Sequence, residues 1–295
     1  MSQPPKQKPM IAFQGELGAN SDEACRTHFP DHVPLPCATF EEAFEAVKSG
    51  AAELAMIPVE NSIAGRVADV HHLLPSSGLY IIGERFKTIR FQLMVNPGVK
   101  LEDVRVAASM PFALFQCRNT LARMGVKLAS TSDTAGAAKE LAEHPDPHRA
   151  AVSPRLAAEI YGLNILLEDI EDEHNNTTRF IVMSRDRAHP PRGAACVTAF
   201  VFRVRNLPAA LYKALGGFAT NGVNMTKLES YMEGGRFTAT MFYAEVDGRP
   251  EDAHVARAIE ELSFFSERFE MVGVFEADPM RNELHGQGAN PPPTP

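Results

Sequence analysis

The sequence contains little cysteine, and its few thiols lack any spacing that would bind a metal. The cysteines stand singly, at Cys25, Cys37, Cys117 and Cys196. The paired cysteines that structural zinc sites use are missing. The ten histidines offer no helical ligand pair either. His28 and His32 are four residues apart, but Pro30 between them interrupts a helix, and His144 and His148 lie in a proline-rich loop. We therefore expect the reduced thiols of a cytosolic protein, and no metal site.

Long apolar runs and clusters of basic residues are also missing. The longest apolar runs are the length of a strand, whereas a membrane-spanning helix needs roughly 20 residues. Residues 1–9 are polar and proline-rich and lack the apolar core of an export signal. The net charge of −8 argues against a nucleic-acid partner. No glycine-rich dinucleotide fingerprint occurs, so we expect no organic cofactor.

Hydrophobic periodicity over the first 185 residues predicts strands that alternate with helices. The helix over 39–50 is the best signalled, because Thr39 and Glu42 form a capping box and Gly50 ends it. Strands are expected at 10–13, 54–57, 104–108 and 150–152, and further helices from about 20, after 111, at 134–143 and at 155–161. This alternation favours an α/β domain with a mostly parallel sheet.

The composition changes at 186–195, where prolines and a glycine stand among charged residues. This segment is typical of a linker. Beyond it the order becomes strand, helix, strand, strand, helix, strand, at 196–205, 208–220, 224–232, 236–246, 251–262 and 269–275. Pro208 suits the first turn of its helix. This βαββαβ order predicts a ferredoxin-like fold with an antiparallel sheet.

Polar residues cluster at three strand or helix ends. Residues 58–65 follow a buried strand, residues 133–138 open a helix, and residues 175–180 precede an apolar strand. Ligands bind at the carboxyl ends of strands in open α/β sheets, and free amides at a helix start favour an anion. Taken alone, the first two clusters are most often loop and cap chemistry, and the third is usually part of a strand with a surface arginine. Together they indicate a site for a small anion.

These clusters and their order resemble the prephenate dehydratase family. The resemblance rests on a Gly-x-x-Gly turn at Gly15–Gly18, IPVENS followed by a glycine at 57–65, DTAGAA at 133–138, AAEIYGL at 157–163 and NTTRF at 176–180. It covers nearly all of residues 10–277. It implies the decarboxylating dehydration of prephenate to phenylpyruvate in phenylalanine biosynthesis. No chorismate mutase domain is expected before residue 10.

The resemblance also implies a fold and a division of the chain. The fold is a two-lobed catalytic domain like type II periplasmic binding proteins, followed by a ferredoxin-like ACT domain that binds an effector. The expected ranges are a disordered start at 1–9, a catalytic domain at 10–185, a linker at 186–195, an ACT domain at 196–277 and a disordered tail at 278–295. One lobe would comprise 10–86 and 165–185, and the other 87–164.

The catalytic roles come from the same resemblance and from the chemistry of the side chains. Arg179 offers a planar fork for a substrate carboxylate, and Thr178 would donate a proton to the leaving hydroxyl or only polarise it. The other expected catalytic residues are Glu60, Asn61 and Ser62. The expected substrate-binding residues are Asn176, Phe180, Thr134, Ala135 and Ser109. Asn20 stands where the family has an aromatic residue, and Met110 where it often has a histidine.

The ACT resemblance implies inhibition by L-phenylalanine. The expected effector-binding residues are Asn206, Leu207, Pro208, Ala209, Leu211, Leu228, Glu229 and Ser230. Ala209 replaces a usual glycine, and Tyr231 and Met232 replace a usual Arg-Pro pair, so effector affinity and range are open. A homodimer or homotetramer is expected. Arogenate dehydratase, the same elimination on an amino-bearing substrate, remains an alternative, as does a non-catalytic small-molecule sensor.

Overall fold

The computed structural model describes residues 8–232 and 239–285, which fall into two compact units. Within these residues, unit 1 comprises 8–70 and 87–180, and unit 2 comprises 71–86 and the part from 181 onward. The chain therefore passes between the units three times. No helix among the described residues combines the length and apolar character that crossing a membrane requires.

The secondary structure alternates as the periodicity predicts. The strands are β1 (Met10–Gln14), β2 (Val33–Cys37), β3 (Leu54–Asn61), β4 (Gly65–Arg66), β5 (Tyr80–Thr88), β6 (Gln92–Val95), β7 (Val106–Ser109), β8 (Lys127–Ser130), β9 (Arg149–Ser153), β10 (Asn164–Leu167), β11 (Thr177–Ser184), β12 (Cys196–Val204), β13 (Met225–Met232), β14 (Ala239–Asp247) and β15 (Ser266–Glu276). The helices are α1 (Asn20–His28), α2 (Phe40–Ser49), α3 (Ala68–Leu73), α4 (Pro111–Gln116), α5 (Arg118–Met124), α6 (Thr134–Glu143), α7 (Arg155–Tyr161), α8 (Ala210–Thr220), α9 (Ala253–Phe265) and α10 (Pro279–His285).

Unit 1 contains two sheets. The first has the order β2–β1–β3–β11, with β1 parallel to both β2 and β3. The second has the order β10–β6–β9–β7–β8, in which β7 is parallel to β8 and β9, and β6 is antiparallel to its neighbours. Two sheets in one unit agree with a two-lobed α/β domain. Because β10 pairs with β6, the second lobe extends to residue 167 instead of the expected 164.

The Thr39 cap predicted for α2 is confirmed, but the reciprocal half of the capping box differs, because the Glu42 carboxylate accepts from the Ala38 amide at 2.9 Å. The Thr39 side chain accepts a hydrogen bond from the Glu42 backbone amide at 3.2 Å, and Gly50 ends the helix at φ 84°. A residue without Cβ adopts this left-handed conformation at little cost. The helix buries Ala43 and Phe44 against the first sheet.

The polar loop expected from residue 58 is wrong in its first half, because β3 continues through Asn61. The reason is a short hairpin, in which Glu60 pairs with Arg66 and Asn61 with Gly65 of β4. A residue on a paired strand has a fixed direction, whereas one in a loop does not. The hairpin therefore fixes the side chain of Asn61.

Unit 2 has the predicted ferredoxin-like order. Its sheet runs β13–β14–β12–β15–β5, with β12, β13, β14 and β15 antiparallel to their partners within the ACT part. Helices α8 and α9 cover one face over a core of phenylalanine rings. The Phe200 and Phe218 ring centroids lie 5.8 Å apart, and those of Phe202 and Phe242 lie 5.2 Å apart. The part of β14 predicted at 236–238 lies outside the described residues.

The predicted helix start at Pro208 is wrong. Helix α8 begins at Ala210, and Ala209 precedes it with a left-handed φ of 62°. A left-handed residue before the helix breaks the helical geometry that Pro208 would have needed to form its first turn. The position that the family usually fills with glycine is thus one where the backbone favours glycine.

Two expected boundaries differ, one at residues 71–86 and one at the tail from residue 278. Residues 71–86 group with the C-terminal residues instead of the first lobe, because β5 runs parallel to β15 with Ile81 opposite Gly273. The disordered tail expected at 278–295 is wrong for 279–285, where α10 forms, and residues 286–295 lie outside the described residues. Arg281 of α10 is only 4% exposed, and its guanidinium binds Glu84 of β5 at 2.6 Å. This buried ion pair anchors α10 to β5.

Candidate active site

Unit 1 contains a cavity of about 370 Å³ whose walls come from both of its sheets. Asn61 and Thr178 contribute from the first sheet, and Thr134 contributes from α6 beside the second sheet. Phe180 lines the cavity as well. Four residues expected at the site from three separate clusters therefore meet in one place.

Two helices present their first residues to this cavity. Asn20 begins α1 and Thr134 begins α6, and both line the wall. The first amides of a helix have no partner within the helix and carry partial positive charge. Asp133, which caps α6 by accepting from the Gly136 amide at 2.6 Å, is the one charged residue among those that line the cavity. The two helix starts therefore offer backbone amides to an anion, whereas the Asp133 carboxylate opposes one.

The direction of the hydrogen bonds around Asn61 is fixed by the backbone. Asn61 Oδ1 accepts from the amides of Ile63 and Ala64 at 3.0 and 2.9 Å. Its Nδ2 must therefore be the donor, and it donates to Thr178 Oγ1 at 2.9 Å and to Asn176 Oδ1 at 2.7 Å. Because Thr178 accepts this bond, its own hydroxyl proton is directed to another acceptor.

Gln116 is a lining residue that the sequence interpretation missed. It ends α4, is 5% exposed, and accepts a hydrogen bond on Oε1 from Asn176 Nδ2 at 3.0 Å. The available signal was a polar residue on an apolar helix face, since Ala113 and Leu114 one turn earlier are buried. A buried polar side chain at such a position needs a partner, and part of that partner is Asn176.

Ser62, which was expected as a catalytic residue, bonds to two backbone groups of the neighbouring segment. Its hydroxyl donates to the Asn175 carbonyl at 2.8 Å and accepts from the Thr177 amide at 3.0 Å. The side chain is exposed and is not among the residues that line the cavity. Ser62 therefore joins the β3–β4 hairpin to the start of β11 and so helps to position Thr178.

Arg179 and Glu60, both expected as catalytic residues, are not among the residues that line the cavity. Side chains alternate along a strand, so Thr178 and Phe180 share the face that lines the cavity and Arg179 takes the other face. The Arg179 guanidinium lies 3.9 Å from Glu60 Oε2 and is 5% exposed. Glu60 in turn neighbours Asn61, whose side chain does line the cavity.

Three other residues expected to bind substrate, Ser109, Ala135 and Asn176, also do not line the cavity. Ser109 is fully buried and donates to the Val152 carbonyl at 2.6 Å inside the second sheet. Ala135 is buried in α6. Asn176 is buried behind the lining and bonds to Asn61 and Gln116.

The Gly-x-x-Gly turn and the AAEIYGL segment contact each other at Gly18. Its φ is +89°, and a Cβ at this position would lie 2.7 Å from the Cα of Ala157. The Tyr161 hydroxyl, from the same helix as Ala157, donates to the Leu17 carbonyl at 2.9 Å. Burial, with a smaller contribution from the Glu16 carboxylate, raises the pKa of Tyr161 to about 12. The turn before α1 is therefore anchored to α7.

The cysteines are buried and carry no reactive environment. Burial raises the pKa of the Cys25 and Cys117 thiols well above their usual range, and Asp22 and Glu171 add to these shifts respectively. All four thiols are free. A neutral buried thiol is a poor nucleophile. The hydroxyl of Thr178 is thus a better candidate than any thiol for chemistry in unit 1.

The expected effector residues lie on the surface of unit 2. The turn before α8 carries Asn206, Leu207, Pro208 and Ala209, all exposed, and Leu211 is half-buried on α8. Leu228 and Ser230 are exposed on β13, which is an edge strand, and Glu229 between them is half-buried. Leu207 is 61% exposed and Leu228 is 40% exposed.

Comparison with known proteins connects this site to a family. Residues 11–188 match the family model for prephenate dehydratase. A bifunctional N-acyl-homoserine lactone acylase/prephenate dehydratase of Komagataeibacter europaeus is 50% identical over 93% of this chain and 98% of its own. Arogenate dehydratase/prephenate dehydratase 2 of Arabidopsis thaliana is 36% identical, over 91% of this chain and 73% of its own.

A solved structure shares both the sequence and the fold. The prephenate dehydratase of Arthrobacter aurescens in complex with L-Phe has a TM-score of 0.83 and 32% identity, and the match covers 90% of this chain and 89% of that one. The match extends over both units described above. It therefore supports the two-lobed domain and the ACT domain alike.

Proposed function

Because this chain belongs to the prephenate dehydratase family, we propose that it converts prephenate to phenylpyruvate, water and carbon dioxide. The observation that carries this proposal is the bond from Asn61 Nδ2 to Thr178 Oγ1 inside the cavity. A hydroxyl that already accepts from an amide is free to donate its proton to a second oxygen. The leaving hydroxyl of prephenate is such an oxygen.

The reaction needs little more than a proton donor and a shaped cavity. The bond from the ring carbon to its hydroxyl breaks, the ring carboxylate leaves as carbon dioxide, and the electron pair that it releases completes the aromatic ring. The departing hydroxide takes a proton and becomes water. Thr178 would supply or relay that proton, and positioned donation contributes about 10²–10⁴-fold. Phe180 would give the developing phenyl ring an apolar surface.

The two substrate carboxylates would be held by amide groups. The starts of α1 and α6 line the cavity at Asn20 and Thr134. Each helix start stabilises a nearby anion by roughly 0.3–1 kcal/mol when exposed, and by up to about 2 kcal/mol when partly buried. Arg179, on the opposite face of β11, would act by holding Glu60 and hence the strand that carries Asn61. In this proposal Arg179 does not bind a substrate carboxylate directly.

One observation favours arogenate as a second substrate. Asn20 Oδ1 is a buried acceptor with no hydrogen-bond partner among the described residues, and Asn20 lines the cavity. Arogenate carries an ammonium group where prephenate carries a ketone, so an unpaired acceptor would suit it. Relatives whose names include arogenate dehydratase agree with this candidate.

Regulation by L-phenylalanine is the second part of the proposal. Unit 2 has the ACT topology, and the relative from Arthrobacter aurescens was solved with L-Phe. The effector would contact the exposed turn at Asn206–Ala209 of one subunit and β13 residues such as Leu228 of another. A homodimer or homotetramer would complete that site. The proposal does not extend to the acylase activity in the name of the Komagataeibacter relative, because none of the described residues that line the cavity is a histidine, lysine or cysteine that would activate a nucleophile.

A steady-state assay with both substrates tests the proposal. Phenylpyruvate formation from prephenate is followed by absorbance, and phenylalanine formation from arogenate by amino-acid analysis. We expect turnover with prephenate and a higher kcat/KM for it than for arogenate. A higher kcat/KM for arogenate would make the second candidate the main function. Inactivity with both substrates would leave the non-catalytic sensor.

A further inference from the structure

Unit 2 contains a cavity of about 340 Å³ that the proposed function does not use. Four segments of unit 2 line it: the start of β5 at 80–81, the linker at 187–190, the turn at 249–251 before α9, and β15 at 271–274. None of the expected effector residues is among the described residues that line this cavity. In the sheet, β12 and β14 separate β15 from β13. The cavity is therefore distinct from the expected effector surface.

Arg249 is held at this cavity by its own turn and by the linker. Gly248, with a φ of +106°, turns the chain before it, and the backbone amide of Arg249 donates to the Asp252 carboxylate at 2.9 Å. The Arg249 guanidinium donates to the carbonyl oxygen of Pro190 at 3.1 Å and to that of Pro191. These two oxygens are uncharged, so they orient the guanidinium without neutralising it.

Arg187 brings a second guanidinium to the same cavity. Its central carbon lies 4.7 Å from the centroid of the Tyr80 ring, and its Nη2 donates to the Tyr80 hydroxyl at 3.5 Å. An aromatic face attracts a cation but does not cancel its charge. Within the part of the chain that the structure describes, no carboxylate forms an ion pair with Arg187 or Arg249. An anion in the cavity would therefore be attracted by two cations that no carboxylate compensates.

The charge and the apolar side of the cavity define the ligand. Glu251 also lines it, so the two arginines leave one excess positive charge when histidine is counted as neutral. Ile81, Met271 and Gly273 form an apolar side, where a Cβ on Gly273 would meet the Ile81 carbonyl oxygen at 2.5 Å. Cavities of about 300–1,000 Å³ with apolar walls and a few convergent polar groups are typical of small-molecule sites. A monoanion with an apolar body suits this lining better than inorganic phosphate does.

We infer that this cavity binds a small apolar monocarboxylate, with Arg187 and Arg249 on its carboxylate and Ile81 and Met271 on its apolar part. Two kinds of molecule share this chemistry, an aromatic α-keto acid and an apolar α-amino acid. Glu251 distinguishes them, because its carboxylate repels a carboxylate and attracts an ammonium group. The inference goes beyond the proposed function, since Thr178 and its cavity belong to unit 1.

Calorimetric titration of the full chain with hydrocinnamate, an apolar carboxylate without a keto or amino group, tests this site. Arg187→Gln should weaken one class of binding sites about tenfold, through the loss of a charged hydrogen-bond donor. Arg192→Gln changes the net charge equally at an exposed linker position outside the lining, and Kd should stay within about twofold. Thermal unfolding checks that both variants fold. Equal binding by wild type and Arg187→Gln, or no binding by wild type, overturns the inference.

Glu251→Gln gives a result that misfolding cannot imitate. Removing this carboxylate should tighten hydrocinnamate binding about two- to fivefold, the size of an interaction between exposed charges. Phenylpyruvate should follow hydrocinnamate if the ligand is an α-keto acid. L-phenylalanine should bind this site more weakly in Glu251→Gln if the ligand is an α-amino acid. Unchanged or weaker hydrocinnamate binding contradicts the inference.

A crystal structure with hydrocinnamate locates the ligand directly. A carboxylate oxygen about 3 Å from a guanidinium nitrogen of Arg187 or Arg249 supports the inference. Hydrocinnamate bound only in unit 1, or bound at crystal concentration only, overturns it. Protein that turns over neither prephenate nor arogenate would refute the proposed function and leave this inference standing.

Discussion

The side-chain amide of Asn61 donates to the Thr178 hydroxyl at 2.9 Å, across 117 residues of sequence. Because Asn61 Oδ1 is occupied by two backbone amides, this bond has one possible direction. The hydroxyl of Thr178 is therefore a donor toward the cavity. Neither residue titrates near neutral pH, so this polarity holds over the pH range in which the protein is stable.

Replacing Thr178 with valine should abolish most of the turnover. Valine has nearly the same shape and no hydroxyl, so we expect kcat for prephenate to fall about 10²–10⁴-fold while KM changes little. Thr178→Ser keeps the hydroxyl and should retain kcat within about tenfold. Turnover of Thr178→Val within a few fold of the wild type would contradict the role of Thr178 as a donor.

Replacing Asn61 with aspartate should make the Thr178 hydroxyl donate to residue 61 and not to the substrate. The aspartate can still accept from Ile63 and Ala64, so the hairpin is retained, but its second oxygen takes the Thr178 hydroxyl as donor. We expect kcat to fall roughly 10- to 100-fold, since a hydrogen bond to a charged group must break before Thr178 can donate. Asn175→Asp adds the same charge at an exposed neighbour. Equal effects of the two variants would point to charge alone.

The sequence was sufficient to predict many of the elements and several of the residues that line the cavity. The Thr39 cap, the helix at 134–143 and the βαββαβ order of the second domain depend on local signals, and all of them are present in the structure. Asn61, Thr134 and Thr178 were expected at one site and line one cavity. These residues stand at the ends of elements whose order the periodicity determines.

The face that each side chain takes was harder to predict. Thr178 and Arg179 are adjacent in sequence, and the interpretation gave both to the substrate, but adjacent residues of a strand point to opposite faces. Gln116 was missed because a single polar residue on an apolar helix has no local signature of function. The pairing of Arg281 with Glu84 joins positions 197 apart, which no composition or periodicity reveals.

Replacing Ala209 with glycine should stabilise unit 2. Ala209 has a φ of 62°, where an L-residue with a Cβ is disfavoured by about 1–2 kcal/mol. Glycine removes that cost but gains freedom in the unfolded chain, so we expect the free energy of unfolding to rise by about 1 kcal/mol in urea denaturation. Ala256→Gly, at an exposed site inside α9, should instead lower it by about 1 kcal/mol. A loss of stability in Ala209→Gly would refute the strain.

Replacing Tyr161 with phenylalanine should change how stability depends on pH. The pKa of Tyr161 is raised from its ordinary 10.0 to about 12 in the folded protein, first by burial. A raised pKa means that the phenol stabilises the fold fully below pH 10 and that this contribution is lost as pH rises toward 12. Tyr161→Phe should be less stable at pH 9 by about 1 kcal/mol, through the lost bond to Leu17. The difference from wild type should shrink between pH 10 and 12.

Urea unfolding at pH 9 and pH 11 measures that difference. Tyr212→Phe removes a phenol that is 80% exposed, so it should follow the wild-type curve. A constant difference between Tyr161→Phe and wild type across the two pH values would show that the phenol does not titrate differently in the folded state.

Replacing Arg281 with methionine should strongly destabilise unit 2. Its guanidinium contacts Glu84 through two nitrogens at 2.6 and 2.7 Å and Glu245 at 3.0 Å. Both carboxylates are at most 1% exposed, so they would lose their shared cation in a region that water does not reach. Removing one partner of a buried pair typically costs about 3–5 kcal/mol. We expect a loss of that size in the free energy of unfolding.

The same cluster allows a sharper test, because we expect the cost to come from the buried carboxylates of Glu84 and Glu245 that lose the Arg281 guanidinium. Adding Glu84→Gln and Glu245→Gln to Arg281→Met removes those charges, and part of the lost stability should return. Arg268→Met provides the surface comparison, since Arg268 and Glu270 are 47% and 46% exposed at 2.6 Å. That variant should lose no more than about 1 kcal/mol. If Arg281→Met lost as little as Arg268→Met, the buried cluster would not be what anchors α10, and the packing of α10 would need another cause.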